Sequence, residues 1–203
     1  EAAGAALVVL PEMVLTGYPP LDLLERDGFA RDQLRELEAL TPVSARVAVA
    51  LGAVLPRDEI GDGAAVGPKT LTNAVVPLAG GRRVASRAKS LLPTYDVFDE
   101  NRYFAPATRR TPVSPAEGLP TLGLTVCEDV WSDHIPYGVH PVAELAEAGA
   151  ALVLNVSASP WHQDKPVFRR RLVAEVARRN RVPIVFVNQV GGNDELVFDG
   201  GSF

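Results

Sequence analysis

The sequence predicts an α/β fold, and three observations lead to that prediction. Short valine-rich apolar runs recur along the 203 residues and are bounded by Gly, Pro or polar residues, as buried strands are. Segments with apolar residues at helical spacing lie between some of these runs. The segment from Leu71 to Lys89 has a different pattern, which is typical of a hairpin: two adjacent strands joined at Gly80-Gly81. Both parallel and antiparallel strand pairing are therefore expected.

Six apolar runs are predicted to be strands. They are Ala6–Leu10, Val47–Leu55, Leu71–Leu78, Leu122–Val126, Ala151–Val156 and Val182–Val187. A seventh strand, Arg82–Ala88, forms the second arm of the predicted hairpin.

Three helices are predicted between the strands. The first, Ala30–Leu40, places Leu34, Leu37 and Leu40 at helical spacing. The second begins at His140-Pro141 and ends at Gly149. The third begins with Asp164 as its N-cap and presents to the core Phe168, Leu172, Val173 and Val176. Its many arginines, among them Arg169, are expected on a solvated or subunit-contacting face.

Composition excludes several classes of protein. The single cysteine, Cys127, cannot form an internal disulfide or a cysteine-rich metal site. The net charge of −5 gives no sign of a nucleic-acid or anionic-membrane partner. No apolar run approaches the roughly 20 residues that span a bilayer, and no signal peptide is visible. The three histidines lack metal-ligand spacing, so no metal is expected. The lone cysteine and the lack of a visible signal peptide make a cytoplasmic setting the expectation.

Both ends of the chain are expected to be cut from something longer. The first residues are typical of the last turn of a helix, stopped at Gly4 before an apolar strand. The last residues, Asp199 to Phe203, are typical of a turn with no closing strand after it.

Reactive side chains follow three of the predicted strands. Glu12 follows the first run, Lys89 follows the hairpin, and Cys127 follows Leu122–Val126. Ligands gather at the carboxyl ends of strands in α/β sheets, so these side chains are candidates for a common site. A thiol is only about 3% ionised at pH 7 and needs a base or a cation to act as a nucleophile. Glu12 could be that base, and Lys89 could hold an oxyanion with the backbone N–H of Glu128.

Each of these residues also has a simpler interpretation. A lone cysteine is most often a small buried hydrophobic residue, and a glutamate or lysine after a strand is usually solvated. Composition and periodicity leave both interpretations open.

Five longer segments resemble a known family. They are Pro11–Leu24 (PEMVLTGYPPLDLL), Lys89–Phe104 (KSLLPTYDVFDENRYF), Gly123–Trp131 (GLTVCEDVW), Asn155–His162 (NVSASPWH) with the later Lys165, and Asn188–Gly200 (NQVGGNDELVFDG). In this order they resemble the glutaminase domain of glutamine-dependent NAD⁺ synthetases, a branch of the nitrilase (carbon–nitrogen hydrolase) superfamily.

The resemblance implies a fold and a mechanism. The fold is a nitrilase-like α/β/β/α sandwich, two sheets face to face with helices outside. Cys127 would attack the side-chain amide of L-glutamine, Glu12 would serve as base and then acid, and Lys89 would hold the oxyanion. Ammonia would leave, and a thioester on Cys127 would be hydrolysed.

The resemblance also implies which residues bind the substrate. Tyr95, Ser159 and Lys165 occupy positions that bind glutamine, and the last two suit its α-carboxylate. Four further residues are expected to wall the pocket: Tyr18, Glu100, Glu128 and Trp131.

The same resemblance makes residues 1–203 a single glutaminase domain truncated at both ends. The ATP-dependent synthetase domain would be absent from this chain, and with it ATP, magnesium and deamido-NAD⁺. That domain of the same polypeptide would be a partner, and a homo-oligomer is expected.

Two other functions remain to be weighed. One is a free-standing nitrilase-type amidase that acts on another small amide. The other is a catalytically silent interaction module that keeps the fold. The Ser159 and Lys165 pair favours the glutaminase over the amidase, and the intact Glu12, Lys89 and Cys127 set argues against the silent module.

Overall fold

The computed structural model describes residues 4–61, 65, 67–132 and 134–203, and arranges their strands in two packed sheets and one hairpin. The strands are β1 (Leu7–Val9), β2 (Ala48–Pro56), β3 (Leu71–Ala79), β4 (Arg82–Arg83), β5 (Arg87–Ala88), β6 (Leu122–Val126), β7 (Leu152–Ser157), β8 (Ile184–Asn188), β9 (Val190–Asn193) and β10 (Leu196–Asp199). The α-helices are α1 (Phe29–Leu40), α2 (Glu100–Tyr103), α3 (Pro141–Glu147) and α4 (Lys165–Asn180).

The first sheet mixes parallel and antiparallel pairing. Its order is β1-β2-β3-β4, and β5 also pairs with β3. Strands β1 and β2 are parallel, whereas β3 runs antiparallel to β2, β4 and β5. The second sheet, β6-β7-β8, is entirely parallel. The expected mixture of pairings is therefore confirmed.

The two sheets pack face to face with helices on their outer faces. Between the sheets lies a cluster that includes Ala50 and Val75 of the first sheet with Leu124 and Leu154 of the second. On the outer face of the first sheet, alternate residues of β2 and β3 pack with Leu37 of α1. On the outer face of the second sheet, the packing partners come from α3 and α4. Side chains alternate between the faces of a strand, so each sheet can serve two cores at once. The predicted α/β/β/α sandwich is confirmed.

Helix α1 is also fixed to the first sheet by a polar contact. The buried Gln33 side chain donates to the Val54 carbonyl and accepts from the Val54 N–H at 3.0 Å. This pair satisfies an amide that would otherwise be costly to bury. Of the predicted core leucines, Leu34 and Leu37 pack on the sheet, whereas Leu40 at the end of the helix is exposed.

The predicted hairpin is confirmed, but its second arm is interrupted. Gly80 and Gly81 both have positive φ, as a tight two-residue turn requires. The segment Arg82–Ala88, expected to be one strand, forms the two short strands β4 and β5. Three residues separate Arg83 from Arg87, whereas two residues separate their partners Leu78 and Val75 on β3. The extra residue makes a bulge that breaks the ladder.

The α4 helix and the last residues differ from expectation in three ways. Asp164 precedes α4 at a left-handed φ of 66°, but its side chain makes no capping hydrogen bond. Arg169, expected on a solvated face, is buried against Asp199. The hairpin β9-β10 was not predicted, because its first strand contains two glycines and lacks an apolar run. The helical turn expected before Gly4 falls on residues 1–3, outside the described residues.

Candidate active site

The two sheets bring Glu12, Lys89 and Cys127 to one end of the sandwich. Glu12 lies after β1, and Lys89 lies directly after β5. Strand β1 is parallel to β2, and both β2 and β5 are antiparallel to β3, so β1 and β5 run in the same direction. Cys127 follows β6 in the second sheet. The first sheet therefore supplies the carboxylate and the ammonium, and the second supplies the thiol, as strand-end chemistry predicts.

The Glu12 segment can approach the first sheet because residue 52 is glycine. The Gly52 N–H donates to the Pro11 carbonyl at 3.0 Å, and the Val14 N–H donates to the Gly52 carbonyl at 3.1 Å. A Cβ at Gly52 would lie 2.5 Å from Glu12 Cα and 2.5 Å from Met13 N. Any larger residue would therefore displace the backbone that carries Glu12.

Lys89 is fully buried and bridges two carboxylates. Its Nζ lies 2.9 Å from Glu12 Oε1 and 2.6 Å from Glu100 Oε1. Tyr18 donates its hydroxyl to the same Glu100 oxygen at 2.9 Å. Burying charges is costly unless they are paired, and here one ammonium neutralises part of the charge of two carboxylates.

Two neutral donors complete the surroundings of Glu12. Asn73 Nδ2 donates to Glu12 Oε1 at 2.6 Å, and the Ala158 N–H donates to Glu12 Oε2 at 2.8 Å. Oε1 thus accepts two hydrogen bonds, from Lys89 and Asn73, and Oε2 accepts one from the described residues. A carboxylate oxygen offers about two lone-pair sites, so Oε2 keeps one that could receive a proton.

Burial and charge shift the pKa values of this cluster. Burial of the ammonium lowers the pKa of Lys89, but the carboxylates of Glu100 and Glu12 outweigh that effect and hold it well above its usual range. Burial raises the pKa of Glu100 to about 7, with a further increase from Glu12 and an opposing decrease from Lys89. Burial also raises the pKa of Tyr18, which faces Glu100. Lys89 therefore stays charged at neutral pH, and Glu100 lies near its titration midpoint.

Cys127 lies on a sharp turn at the end of β6. Its φ is +40°, a left-handed conformation that costs a non-glycine residue energy. A short 3₁₀ turn, Cys127–Val130, follows the strand directly. The conformation departs from the strand abruptly, as is typical of a nucleophile held at a strand end.

Asp129 maintains this turn and ties it to the Lys89 loop. Its Oδ2 accepts the Val126 N–H at 2.9 Å. Its Oδ1 accepts the N–H groups of Ser90 at 3.0 Å and Leu91 at 2.9 Å. One buried carboxylate thus joins the segment that carries Cys127 to the residues after Lys89. Burial raises the pKa of Asp129 to about 6, although the Val126 N–H and the other two donors oppose that shift.

The Cys127 thiol is held in its protonated form in the free protein. Burial raises its pKa well above the usual range, Glu12 raises it further, and Lys89 opposes them. The cysteine therefore needs a proton acceptor at the moment of attack. Glu12 is a carboxylate close enough to act on the thiol electrostatically.

A cavity of about 470 Å³ opens over Cys127. It is lined by Tyr95, Asp96, Phe98, Cys127, Glu128, Trp131, His134, Ile135, Pro136, Ser159, His162, Lys165 and Phe168. Its volume suits a small organic ligand, and Cys127 is the nucleophile on its wall. The described residues thus bring Cys127 together with five of the predicted substrate-binding residues: Tyr95, Ser159, Lys165, Glu128 and Trp131.

The cavity carries charges of both signs. The Glu128 carboxylate accepts hydrogen bonds from Tyr95 at 2.8 Å and Tyr137 at 2.7 Å. Lys165 begins α4 and places its ammonium 5.8 Å from the centre of the Trp131 ring. Burial lowers the pKa of Lys165, with a further decrease from Arg169 and an increase from Cys127. Burial raises the pKa of both tyrosines, and the Glu128 carboxylate that accepts their hydrogen bonds raises it further.

Ser159 is held by its backbone. Its N–H donates to Asn188 Oδ1 at 2.8 Å, and its carbonyl accepts from Asn188 Nδ2 at 3.3 Å. Asn188 also donates to Asp199, the partner of Arg169. The loop after β7 is therefore attached to the end of β8 and to β10.

Tyr18 and Glu100 take different places from those expected. Neither lines the cavity over Cys127; they line a much smaller one with Met13 and Tyr103. Their mutual hydrogen bond and the contact of Glu100 with Lys89 turn both side chains towards the interior. In the described structure they support Lys89 instead of walling the pocket.

Four participants were missed by sequence reasoning: Asn73, Asp129, Tyr137 and Asn188. Asn73 carried a usable signal, because it is a polar residue inside the apolar strand β3. Asp129 carried a weaker one, because it is an acidic residue three positions after the predicted strand Leu122–Val126. Tyr137 and Asn188 lie in loop or strand-end positions where polar residues are common, so nothing local distinguishes them.

Among the described residues, no group of three or more His, Cys, Asp or Glu side chains could hold a metal ion. No helix in the described part of the chain is long and apolar enough to cross a bilayer.

A four-layer sandwich with glutamate, lysine and cysteine at its strand ends defines a nitrilase-type protein. The profile of the family described as carbon-nitrogen hydrolase matches residues 1–203. The chain belongs to the carbon–nitrogen hydrolase family.

Similar proteins come from several bacteria. The chain is 41% identical over 209 residues to a glutamine-dependent NAD(+) synthetase of Synechocystis sp., covering 100% of this chain and 37% of the relative. It is 37% identical over 204 residues to the protein of the same name from Thermotoga maritima, covering 100% of this chain and 32% of the relative. The chain thus spans about a third of the length of these relatives.

Solved structures show the same likeness. A glutamine-dependent NAD⁺ synthetase from Acinetobacter baumannii, in complex with ADP, superimposes with a TM-score of 0.83 at 32% identity, over 100% of this chain and 35% of that one. An amidase of the nitrilase superfamily from Nesterenkonia superimposes with a TM-score of 0.75 at 25% identity, over 99% of this chain and 70% of that one. A structure of a variant of that amidase has the acetamide moiety of fluoroacetamide covalently attached at the active-site cysteine.

Proposed function

We propose that this chain is a glutamine amidohydrolase domain that releases ammonia through a thioester on Cys127. One observation carries the proposal: the buried Lys89 ammonium, 2.9 Å from Glu12, lies at the same end of the sandwich as a cysteine that faces a cavity. A nucleophile, a base and a cation at one site are the parts that acyl transfer requires.

The first half of the reaction forms the thioester. Cys127 Sγ attacks the side-chain carbonyl carbon of glutamine while its proton passes to Glu12 Oε2, the oxygen with a free lone-pair site. The carbonyl oxygen becomes an oxyanion, held by the Lys89 ammonium and the Glu128 N–H. The carbon–nitrogen bond then breaks as Glu12 returns the proton to nitrogen, and ammonia leaves.

The second half regenerates the enzyme. A water molecule gives a proton to Glu12 and attacks the thioester carbonyl, forming a second oxyanion at the same donors. The carbon–sulfur bond breaks, the proton returns from Glu12 to Cys127, and glutamate leaves. The same carboxylate serves as base and acid in both halves, so no histidine is needed.

The charges of the cavity support an amino acid as the substrate. Lys165 offers a cation for the α-carboxylate, and Ser159 offers a hydroxyl beside it. Glu128, between Tyr95 and Tyr137, offers a carboxylate for the α-ammonium. A zwitterionic head group needs both signs, whereas a simple amide needs neither.

We further propose that the ammonia serves ATP-dependent amidation of deamido-NAD⁺ to NAD⁺ in a longer protein. The names of the similar proteins and the third of their length that this chain spans support a separate synthetase domain. ATP, magnesium and deamido-NAD⁺ would bind there, and this chain would need no cofactor. A cytoplasmic setting and a homo-oligomer stay predictions.

The alternative is a free-standing amidase for another small amide. The likeness to the Nesterenkonia amidase, which this chain matches over 70% of its length, favours that alternative. The charged cavity favours glutamine. A catalytically silent module is disfavoured, because a silent module would gain nothing from burying a lysine between two carboxylates.

The test is ammonia release from glutamine by the full-length protein. Wild type is expected to release ammonia, and Cys127→Ala to lose at least about a thousandfold in rate, since the covalent route is gone. Mass spectrometry of the wild-type protein is expected to trap a glutamyl adduct on Cys127.

Two controls make this test decisive. Cys127→Ala must unfold at the wild-type temperature, so that lost activity reflects lost chemistry. A set of small primary amides without the amino-acid head group should be poor substrates. Wild-type turnover in Cys127→Ala contradicts the mechanism, and a preference for the simple amides supports the amidase instead.

A further inference from the structure

Asn73 is a fully buried amide that joins the two carboxylates of the site. Its Nδ2 lies 2.6 Å from Glu12 Oε1 and 3.2 Å from Glu100 Oε2. We propose that Asn73 is a positioning residue, which holds the carboxylate of the general base Glu12 beside Glu100 in a fixed orientation. The inference rests on the proposed function, because it assigns Glu12 the role of base.

The orientation of the amide is set by its neighbours. Turning the Asn73 side chain over would place Oδ1 against two carboxylate oxygens, where acceptors would face acceptors. In the observed orientation, Oδ1 has no hydrogen-bond partner among the described residues. A buried carbonyl without a partner is costly. The advantage of an amide at this position therefore lies in its two N–H groups, which bind the two carboxylates.

The strand fixes where this amide can lie. Asn73 pairs with Val54 across β2, and its carbonyl accepts the Lys89 N–H at 2.7 Å. Its backbone is therefore held on both sides, which fixes the point from which the side chain extends, and the two hydrogen bonds of Nδ2 fix its orientation. A polar residue here interrupts a strand whose other interior positions are mostly apolar.

Asn73 leaves Lys89 free for the substrate. The Lys89 ammonium has three N–H groups, and two contact Glu12 and Glu100, so one remains for an oxyanion. When the ammonium turns towards the substrate it weakens its own bridge between the carboxylates. The neutral Asn73 bridge carries no charge and remains in place.

In the part of the chain that the structure describes, Lys89 and Tyr18 face this pair through hydrogen bonds, and Cys127 and Tyr137 face it through electrostatic effects. An aspartate at position 73 would place a third carboxylate beside Glu12 and Glu100 and repel both. An alanine there would remove the hydrogen bonds that the amide donates to the two carboxylates.

The test compares variants of the full-length protein. Asn73→Ala removes the donor, and Asn73→Asp replaces it with an isosteric carboxylate. Thr72→Val is the matched control, because Thr72 is buried on the same strand but donates only to the Leu55 carbonyl at 3.1 Å. The measurements are kcat and KM for ammonia release from glutamine over about four pH units centred near neutrality.

The expected result is a change in kcat with a shifted pH profile. We expect kcat to fall about tenfold in Asn73→Ala and about a hundredfold in Asn73→Asp, within the range that general-base catalysis contributes. The acid limb of kcat/KM should move to higher pH by about one unit, because the Glu100 carboxylate, whose pKa burial raises to about 7, has lost the Asn73 donor. KM should change less than about threefold, since Asn73 does not line the cavity. Thr72→Val should match wild type.

A merely structural role would give a different pattern. It would lower the unfolding temperature and the amount of active protein without moving the pH profile. A wild-type profile and wild-type kcat in Asn73→Ala overturn the proposal. If Asn73→Asp fails to fold, Asn73→Ser keeps a shorter donor and should lie between wild type and Asn73→Ala.

Crystal structures separate this inference from the proposed function. In Asn73→Ala the Glu12 and Glu100 carboxylates should move by more than about 0.5 Å, the tolerance of a productive site. If wild type releases no ammonia from glutamine, the assigned substrate is wrong, and Asn73 is judged by these structures alone. Carboxylates that superimpose on wild type overturn the positioning role.

Discussion

Cys127 combines a left-handed backbone with a buried thiol, and both features bear on its reactivity. The φ of +40° turns the residue out of β6, and Asp129 holds that turn through three backbone N–H groups. Burial first, and Glu12 second, raise the pKa of the thiol, while Lys89 lowers it. The free protein therefore stores a protonated nucleophile that is activated only when its proton can leave.

The raised thiol pKa predicts slow alkylation at neutral pH. Reaction of Cys127 with iodoacetamide, without substrate, should accelerate with pH to a midpoint above that of free cysteine, because the thiolate is the reactive form. Stopped-time mass spectrometry gives the rate at each pH, with free cysteine in the same buffer as the control. A midpoint below that of free cysteine would show that the Lys89 effect dominates and that the thiolate is already formed.

At the scale of elements, close approach between segments decides where Glu12 lies. Strand β2 carries Gly52 at the point where the Pro11–Met13 backbone crosses it, with no space for a Cβ. Helix α4 carries Lys165 at its first residue and Arg169 one turn later, and Arg169 is anchored to Asp199 at 2.8 Å. The close approach at Gly52 thus determines the position of the base Glu12. The Arg169–Asp199 ion pair anchors the helix that supplies Lys165, the cation of the cavity.

Gly52→Ala should damage activity more than stability. The new methyl group would push Glu12 away, and a displacement of about 1 Å can cost about a hundredfold in rate. Overpacking should cost about 1–3 kcal/mol in the free energy of unfolding. Ammonia-release assays and urea unfolding measure the two effects. Gly192→Ala is the control, because a Cβ there would have an ordinary 3.5 Å contact. Wild-type activity in Gly52→Ala would show that a Cβ at residue 52 does not displace Glu12.

Arg169→Ala should destabilise the fold. The Arg169 side chain is 1% exposed, and the side chain of its partner Asp199 is 20% exposed. Removing the guanidinium would therefore leave a largely buried carboxylate without its charged partner. Breaking such a pair costs about 3 kcal/mol, which urea unfolding would detect. Arg178→Ala, at an exposed position of the same helix, should stay within about 0.5 kcal/mol of wild type. Equal stability of the two variants would mean that the buried pair contributes nothing.

At the scale of the whole molecule, the site is divided between the two sheets. The first sheet supplies Glu12, Asn73 and Lys89, and the second supplies Cys127 and the Ala158 N–H. Packing of the layers brings these groups together and also buries their charges. The pKa of Glu100 rises to about 7 and that of Asp129 to about 6 for that reason, so folding and pH are linked.

The contribution of Asp129 to stability should therefore fall as pH rises through its titration. Its folded-state pKa of about 6 lies above its ordinary 3.8, so the folded protein binds the proton more tightly than the unfolded chain. The resulting stabilisation is complete below pH 3.8 and is lost by about pH 6, on the order of 3 kcal/mol from this group.

Urea unfolding between those pH values measures the effect. Asp129→Asn should be less stable throughout, because an amide cannot accept from all three N–H groups, but its stability should vary less with pH. Asp22→Asn, at an exposed position, should keep the wild-type slope. An unchanged slope in Asp129→Asn would assign the pH dependence to other groups.

The sequence by itself determined the six apolar strands and, through five segments that resemble a known family, the family. Valine-rich runs predicted β6 to the residue. Strand-end positions, which are local features, made Glu12, Lys89 and Cys127 candidates, and the resemblance implied their roles. The failures of the sequence-based prediction were also systematic. The burial of Arg169 and the exposure of Leu40 follow from what packs against a helix, which helical periodicity does not record.

Only the tertiary structure decided how polar groups pair across the sandwich. Asn73 and Glu12 are 61 positions apart, and Ala158 and Glu12 are 146 apart, yet both pairs are hydrogen-bonded. Hydrophobic periodicity specifies which face of an element is buried, but a hydrogen bond needs two particular atoms at a fixed distance and angle. That geometry depends on the register of β2 with β3 and on the packing of one sheet against the other, neither of which is encoded in any local pattern.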